Sequence, residues 1–317
     1  MQYTVAVRTL GKAGDKYRRL LESVDALQPK PKEVIIALPH GYELPPEQLG
    51  YEKFIFVPKG MVSQRVFVLE YVSTDLILFL DDDVEFSQDM FSRLFHSMEK
   101  NNCHIVYPIC SYFVPDRILV MIYLAMIGAA FPMIFGRSKY RIKVLRSAAY
   151  SYNLKMDKPS YEALSGPGVC FLTTREAFEM INFIDESRWL DMMGYAFGDD
   201  QTMFYKYHLV GYKILAVPGI RISHLHAKTT FRGRAKMGYY FTFFRYIFWY
   251  RFIYSRSKKN FFDVVPFYCC LFQYLLFWPM AMCLLKRTNP LKALSYAVKG
   301  YLAARKMIHA GKISEFV

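Results

Sequence analysis

The chain has 317 residues, 53% of them hydrophobic and 17% aromatic, and a net charge of +14. That length allows one large domain with an appendage, and that apolar content brings membrane contact into question. The six cysteines form no Cys-x-x-Cys pair, so structural zinc is not expected and the thiols read as reduced, in a cytosolic setting.

The N-terminus has no basic stretch followed by an apolar run, so no signal peptide is expected. Residues 3–7 read as a first strand, broken by Gly11 and Gly14. Tyr17, Leu20, Leu21, Val24 and Leu27 then share one helical face. Residues 33–38 and 54–57 are two further strands, and a helix over about 62–71 leads to Leu76-Ile77-Leu78-Phe79-Leu80-Asp81-Asp82-Asp83. Five apolar residues in a row read as a buried strand. Three adjacent carboxylates cannot be buried unpaired, so they belong at the open end of a parallel sheet. A divalent cation bridging a phosphate is the expected partner there, and an acidic turn after a core strand is the plain alternative. The alternation of strand and helix predicts a doubly wound, mostly parallel α/β sheet with Arg8, Thr9 and Asp81 to Asp83 along one rim.

A helix to about Asn101 and a strand over 105–108 follow. Residues 118–136 carry no charge, but Gly128 and Pro132 interrupt them, which favours an interfacial membrane insertion over a span. Ser165-Gly166-Pro167-Gly168 reads as a glycine loop entering a strand. Asp199 and Asp200 open a helix that runs to about Leu209, with Gly211 as its stop. Two late strands end at Ser223-His224-Leu225-His226.

From Lys228 onward 16 basic residues stand against 2 acidic ones, so the first 227 residues are neutral overall. Basic charge mixed with Phe, Tyr and Trp suits an anionic membrane surface, and the long apolar runs favour that over nucleic acid. Residues 264–285 are uncharged and long enough to span, though Pro279 lies among them and Pro266 near their start. Residues 291–308 read as a basic amphipathic helix.

Taken in order, Leu80-Asp81-Asp82-Asp83, the glycine loop, Phe183-Ile184-Asp185-Glu186, Gly198-Asp199-Asp200-Gln201 and Ile222-Ser223-His224 resemble the family 2 glycosyltransferases over roughly residues 1–230. The resemblance implies a GT-A-like catalytic domain over 1–230, with 231–317 a membrane-associated helical tail on the cytoplasmic face. It implies inverting transfer from a nucleotide-sugar donor to a glycan or lipid-linked acceptor, with Mn2+ or Mg2+. Asp83 and His224 are the implied metal ligands, with His226 a competitor because the two imidazoles lie two apart in an extended segment. Arg8, Thr9, Arg65, Asp81 and Asp82 are implied to contact the donor, and Asp199 and Gly166 the acceptor. Asp200 is the implied general base, although acids at a helix start also serve the helix dipole. The family's aspartate after the second strand is missing here, and His40 or Glu43 stands in its place. A phosphohydrolase or a nucleotidyltransferase of α/β fold shares the acidic rim. Val84-Glu85 after the acids does not match the first, and Gly11-Lys12-Ala13-Gly14 is a poor form of the second's basic loop.

Overall fold

The computed structural model describes residues 2–110, 117–133, 138–194, 197–226, 233–285 and 288–316. In chain order its elements begin β1 Thr4–Arg8, α1 Asp15–Asp25, β2 Glu33–Pro39, β3 Lys53–Val57, α2 Ser63–Val66, β4 Leu76–Asp81, β5 Val84–Phe86, α3 Met90–Lys100 and β6 Ile105–Pro108. Next come α4 Ile118–Met126, β7 Ala130–Pro132, β8 Tyr140–Val144, β9 Tyr150–Tyr152, β10 Tyr161–Ala163, β11 Cys170–Thr174 and α5 Arg175–Met180. The chain continues with α6 Ser187–Leu190, α7 Asp199–Leu209, β12 Ile214–Val217, β13 Ile222–His224, α8 Arg234–Phe248, α9 Phe261–Leu284 and α10 Pro290–His309. They fall into two compact units. One takes residues 1–114, 139–141 and 155–229, and the other 115–138, 142–154 and 230–317.

The first unit is built on a sheet ordered β3-β2-β1-β4-β11-β6-β12-β10. Strands β1 to β4 pair in parallel, as do β6 and β12. Strand β11 runs antiparallel between β4 and β6, and β10 lies antiparallel to β12, so the sheet is mixed. The strand alternation sorts side chains to two faces. Leu78 and Leu80 join Val5, Val7, Leu20 and Phe91 on the face covered by α1 and α3. On the opposite face Phe79 stacks on Phe171 at 4.9 Å and meets Phe178 at 4.8 Å, while Phe204 of α7 meets Phe171 at 5.7 Å. The same alternation carries on into the acids and decides their partners below.

The second unit contains β7 and β8 on either side of β9, with α4 and three long helices. Helix α8 runs on into a π-helical turn, Trp249–Tyr254. Helix α9 is continuous through Pro266 and Pro279. Its start carries a capping box between Asn260 and Asp263. Helices α8 and α10 approach closely along small residues. A side chain at Gly300 would stand 2.2 Å from the Tyr239 carbonyl oxygen, and Thr242 Oγ1 donates to the Ala297 carbonyl at 2.6 Å.

Candidate active site

Arg8 and Asp81 are register partners at the ends of β1 and β4. Both side chains therefore leave the same face of the sheet, and Arg8 clasps Asp81 with two donors, its Nε on Oδ1 and Nη2 on Oδ2 at 2.9 Å. Such forked pairs fix orientation as well as charge. One residue further on in each strand the direction flips, and Thr9 Oγ1 donates to Asp82 Oδ2 at 2.6 Å. Burial, outweighing that hydrogen bond and helped by the charges of Asp83 and Asp81, pushes the Asp82 carboxyl up to about 7. Consecutive carboxylates thus serve different neighbours, and this is why three of them fit in one turn.

Asp83 takes a third direction. Strand β5 follows it immediately and pairs antiparallel with β13, His224 opposite Val84. The Asp83 carbonyl accepts from Leu225 N at 2.8 Å, and His224 Nε2 lies 3.0 Å from Asp83 Oδ1. Burial lowers the His224 pKa, but the hydrogen bond and charge of Asp83 outweigh it and hold it above the usual imidazole value. His226 is exposed, in the left-handed region at φ 51°, with its ring 4.1 Å from that of His224. His224 Nε2 thus stands directly on Asp83, with the His226 ring beside it. A carboxylate oxygen and an imidazole nitrogen facing one another fit a divalent ion such as Mn2+. Among the described residues no group of three or more Asp, Glu, His or Cys side chains is placed to hold a metal. The pair therefore needs ligands from water or a phosphate to complete a coordination shell. Asp81, with both oxygens on Arg8, faces the arginines instead.

The acidic pair at the start of α7 meets the same rim. Arg65 of α2 is 2% exposed; its Nη1 donates to Asp199 Oδ2 at 2.6 Å and its Nη2 to the Gly168 carbonyl at 2.8 Å. Nη2 also reaches Asp200 Oδ1 at 3.4 Å and stands 3.8 Å from Asp81. Arg8 Nη1 is 3.3 Å from Asp199 Oδ2. Burial works to raise Asp199, yet Arg65 and Arg8 outweigh it and hold its carboxyl below the usual range. Asp200 is pushed up to about 7 by burial and then by the Asp199 charge. Two adjacent carboxyls are driven apart in pKa, and the one with the higher value keeps the more exposed side chain, 27% against 7%. A carboxylate so tuned, near neutral pH and within reach of solvent, can accept a proton.

The glycine loop fits closely around this cluster. A side chain at Gly166 would meet the Tyr107 ring at 2.6 Å, so Gly166 lies against Tyr107. Gly168 is the loop residue that touches the acids: a Cβ there would stand 2.0 Å from Asp200 Oδ1 and 2.5 Å from Arg65 Nη2. Sequence reasoning left three supports unassigned. Gly168 was seen only as part of the loop. Asp191 accepts from Val62 N at 2.8 Å, Ser63 N at 3.1 Å and Ser63 Oγ at 2.7 Å, and so fixes the short helix that presents Arg65. Lys206 Nζ sits wholly buried on Glu186 Oε1 at 2.8 Å, while Trp189 Nε1 donates to Glu186 Oε2 at 2.7 Å. That network pins α7 to the segment before it. A lysine within a helix whose neighbours are aromatic was its one sequence signal.

The fold is a GT-A-like α/β architecture. It is similar to that in the crystal structure of GalNAc-T7 with UDP, GalNAc and Mn2+, with a TM-score of 0.51 at 14% identity over 80% of this chain and 50% of that one. The chain thus corresponds to about half of that protein. Residues 53–181 match the model for glycosyl transferase family 2, a stretch that holds Arg65, the three acids and the glycine loop. Arg8, the Asp199-Asp200 pair and His224 lie outside the matched residues and join the site through geometry alone. No curated protein matches the chain significantly by sequence.

Proposed function

We propose that the chain is a hexosyltransferase-type glycosyltransferase that moves a sugar from a nucleotide-sugar donor to a glycan or lipid-linked acceptor, with inversion, in polysaccharide assembly. The observation that carries this reading is the convergence of two features on one rim. One is the Asp83–His224 pair, and the other is the carboxylate Asp200, raised to about 7. The family 2 segment supports glycosyl transfer, and the UDP, GalNAc and Mn2+ of the GalNAc-T7 crystals support a nucleotide-sugar donor with a divalent ion.

In this reading Asp83 and His224 hold Mn2+ or Mg2+, which when bound offsets the charge that builds on the leaving diphosphate. Asp200 takes the proton of the acceptor hydroxyl as that oxygen attacks C1 of the sugar, on the face opposite the diphosphate. Asp199 is held ionised by Arg65 and Arg8, and its charge keeps the Asp200 carboxylate basic. It and Gly166 border the acceptor. Arg8, Thr9, Asp81 and Asp82 form the wall against which the nucleotide rests, and Arg65 links that wall to the base. The catalytic part is residues 1–230. Residues 231–317 and the apolar segment 118–136 attach the protein to the cytoplasmic face of a membrane containing anionic lipid, and no nucleic acid is bound.

Asp200→Asn tests the assignment. Donor binding, read by the thermal shift that the nucleotide sugar produces, is retained, while transfer falls by about 10²–10⁴-fold, the range for a lost general base. Transfer at the parent rate would reduce Asp200 to a helix-start residue.

A further inference from the structure

Helix α9 is long and apolar enough to cross a membrane, with 33% of its most apolar window buried inside the protein. Its surroundings argue for another placement. Along its inner face Phe267 stacks on Trp249 at 4.3 Å and Tyr274 stacks on Phe241 at 4.0 Å. A side chain at Gly238 would stand 3.2 Å from Trp278 Nε1. As α9 advances from 267 to 278, its partners run back from 249 to 238, so α8 lies antiparallel beside it. Helix α10 follows α8: Ala297 accepts from Thr242, Gly300 abuts Tyr239, and Tyr301 meets Tyr246 at 5.0 Å.

This arrangement sets charge beside the middle of α9. Arg245 is buried on α8 between the levels of Phe241 and Trp249, and exposed Lys299 precedes the Gly300 contact. If α9 crossed a bilayer, both cations would travel into the hydrocarbon, where charge is strongly disfavoured. The outer face of α9 behaves differently. Phe261, Tyr268, Phe272, Leu276, Met280 and Leu284 are exposed, and their spacing of four residues (seven from Phe261 to Tyr268) makes one broad apolar stripe. Helix α4 belongs to the same surface system. Gly128, just past its end, packs against the turn of α9 at Cys270 and Gln273, and Ile118, Leu119 and Ile122 are exposed on it.

Exposed basic residues lie just before α9 and along α10. Lys258 and Lys259 precede α9, and Lys292, Lys299, Arg305 and Lys306 lie exposed on α10. The two acids of the region are engaged, Asp263 with Arg146 at 3.4 Å and Glu315 with Lys259 at 3.0 Å. An exposed apolar helix face in a unit where exposed cations outnumber the acids matches one leaflet of an anionic bilayer. We infer that α9 lies in the plane of the membrane, its outer stripe and α4 immersed in one leaflet and the basic residues at the phosphates, so that the chain enters the bilayer without crossing it. This rests on the membrane attachment proposed above and sharpens it.

The test labels the full chain in sealed membrane vesicles with a membrane-impermeant maleimide. It uses Lys259→Cys and Lys292→Cys, one before and one after α9, with Cys269 and Cys283 changed to serine. Both positions react from the cytoplasmic side, within about twofold of each other, if the helix lies in the plane. Reaction of the two from opposite sides overturns the in-plane placement and leaves the attachment intact. Flotation of the purified chain with phosphatidylcholine vesicles containing phosphatidylglycerol separates the two claims. The parent floats, and Phe272→Glu with Leu276→Glu reduces the floated fraction about tenfold, while its thermal midpoint stays within a few degrees of the parent's. A parent chain that does not float overturns attachment and placement together. A chain that instead forms a stable dimer through this stripe gives the stripe to a second copy.

Discussion

The two units treat charge and oil in opposite ways. In the first, apolar residues are inside, and at one rim two arginines, Arg8 and Arg65, face three carboxylates, Asp81, Asp199 and Asp200, in a small volume. In the second, apolar residues also cover the outside of α9 and α4, and basic residues outnumber acidic ones. A cluster of opposed charges with divergent pKa values suits chemistry on a charged substrate. An apolar surface with excess positive charge suits a negatively charged interface. The +14 of the whole chain therefore says little about the site, because the excess lies in the second unit.

The comparison can be pressed at several points, the largest effect first. Arg65→Met leaves Asp199 buried without its main partner. Breaking a buried pair of this kind costs about 3–5 kcal/mol, so a large drop in the thermal midpoint is expected, followed by calorimetry. A midpoint near that of the parent would mean the acids neutralise by taking up protons instead. Lys206→Met leaves Glu186 charged and wholly buried, and the same cost of about 3–5 kcal/mol applies. It is expected to reduce transfer as well, because α7 loses its tie to Glu186.

A subtler effect is the pH profile. In the proposed role Asp200 works only when ionised, and its carboxyl is pushed up to about 7. The rate should therefore rise as pH increases through that value and level off above it. Asp199→Asn removes a neighbouring negative charge, so it should move the inflection to lower pH even if the plateau falls. An inflection that shifts upward would mean that Asp199 does not set the basicity of Asp200. Smallest of all is salt. Raising ionic strength should weaken attachment of the second unit to anionic vesicles while leaving transfer to a soluble acceptor nearly unchanged.

Much of this was legible in the sequence, for identifiable reasons. The strand before Asp81 announces itself because a buried strand must be continuously apolar. The start and stop of α7 are legible because Asp199, Asp200 and Gly211 each meet a local backbone need, and Gly211 takes φ 90°. Orientation is harder to read. Nothing in Cys170-Phe171-Leu172 tells that β11 runs antiparallel in the middle of the sheet, because both directions need the same apolar residues. Partners far apart in sequence are equally silent: Asp191 on Val62 and Ser63, Lys206 on Glu186, and the forked Arg8–Asp81 pair appear only when the chain is folded. The prolines of α9 lie within a continuous helix. Each removes one backbone hydrogen bond, and packing of the inner face against α8 outweighs that loss.

The central claim is that Asp83 and His224 hold a divalent ion for departure of a diphosphate. It is tested most directly by measuring nucleotide-sugar hydrolysis with and without Mn2+, in the parent chain and in Asp83→Ala. The account predicts Mn2+-dependent hydrolysis in the parent and its loss by about 10³-fold or more in the variant, since a metal at a leaving group supplies several kcal/mol. Mn2+-dependent hydrolysis at the parent rate in Asp83→Ala would contradict it.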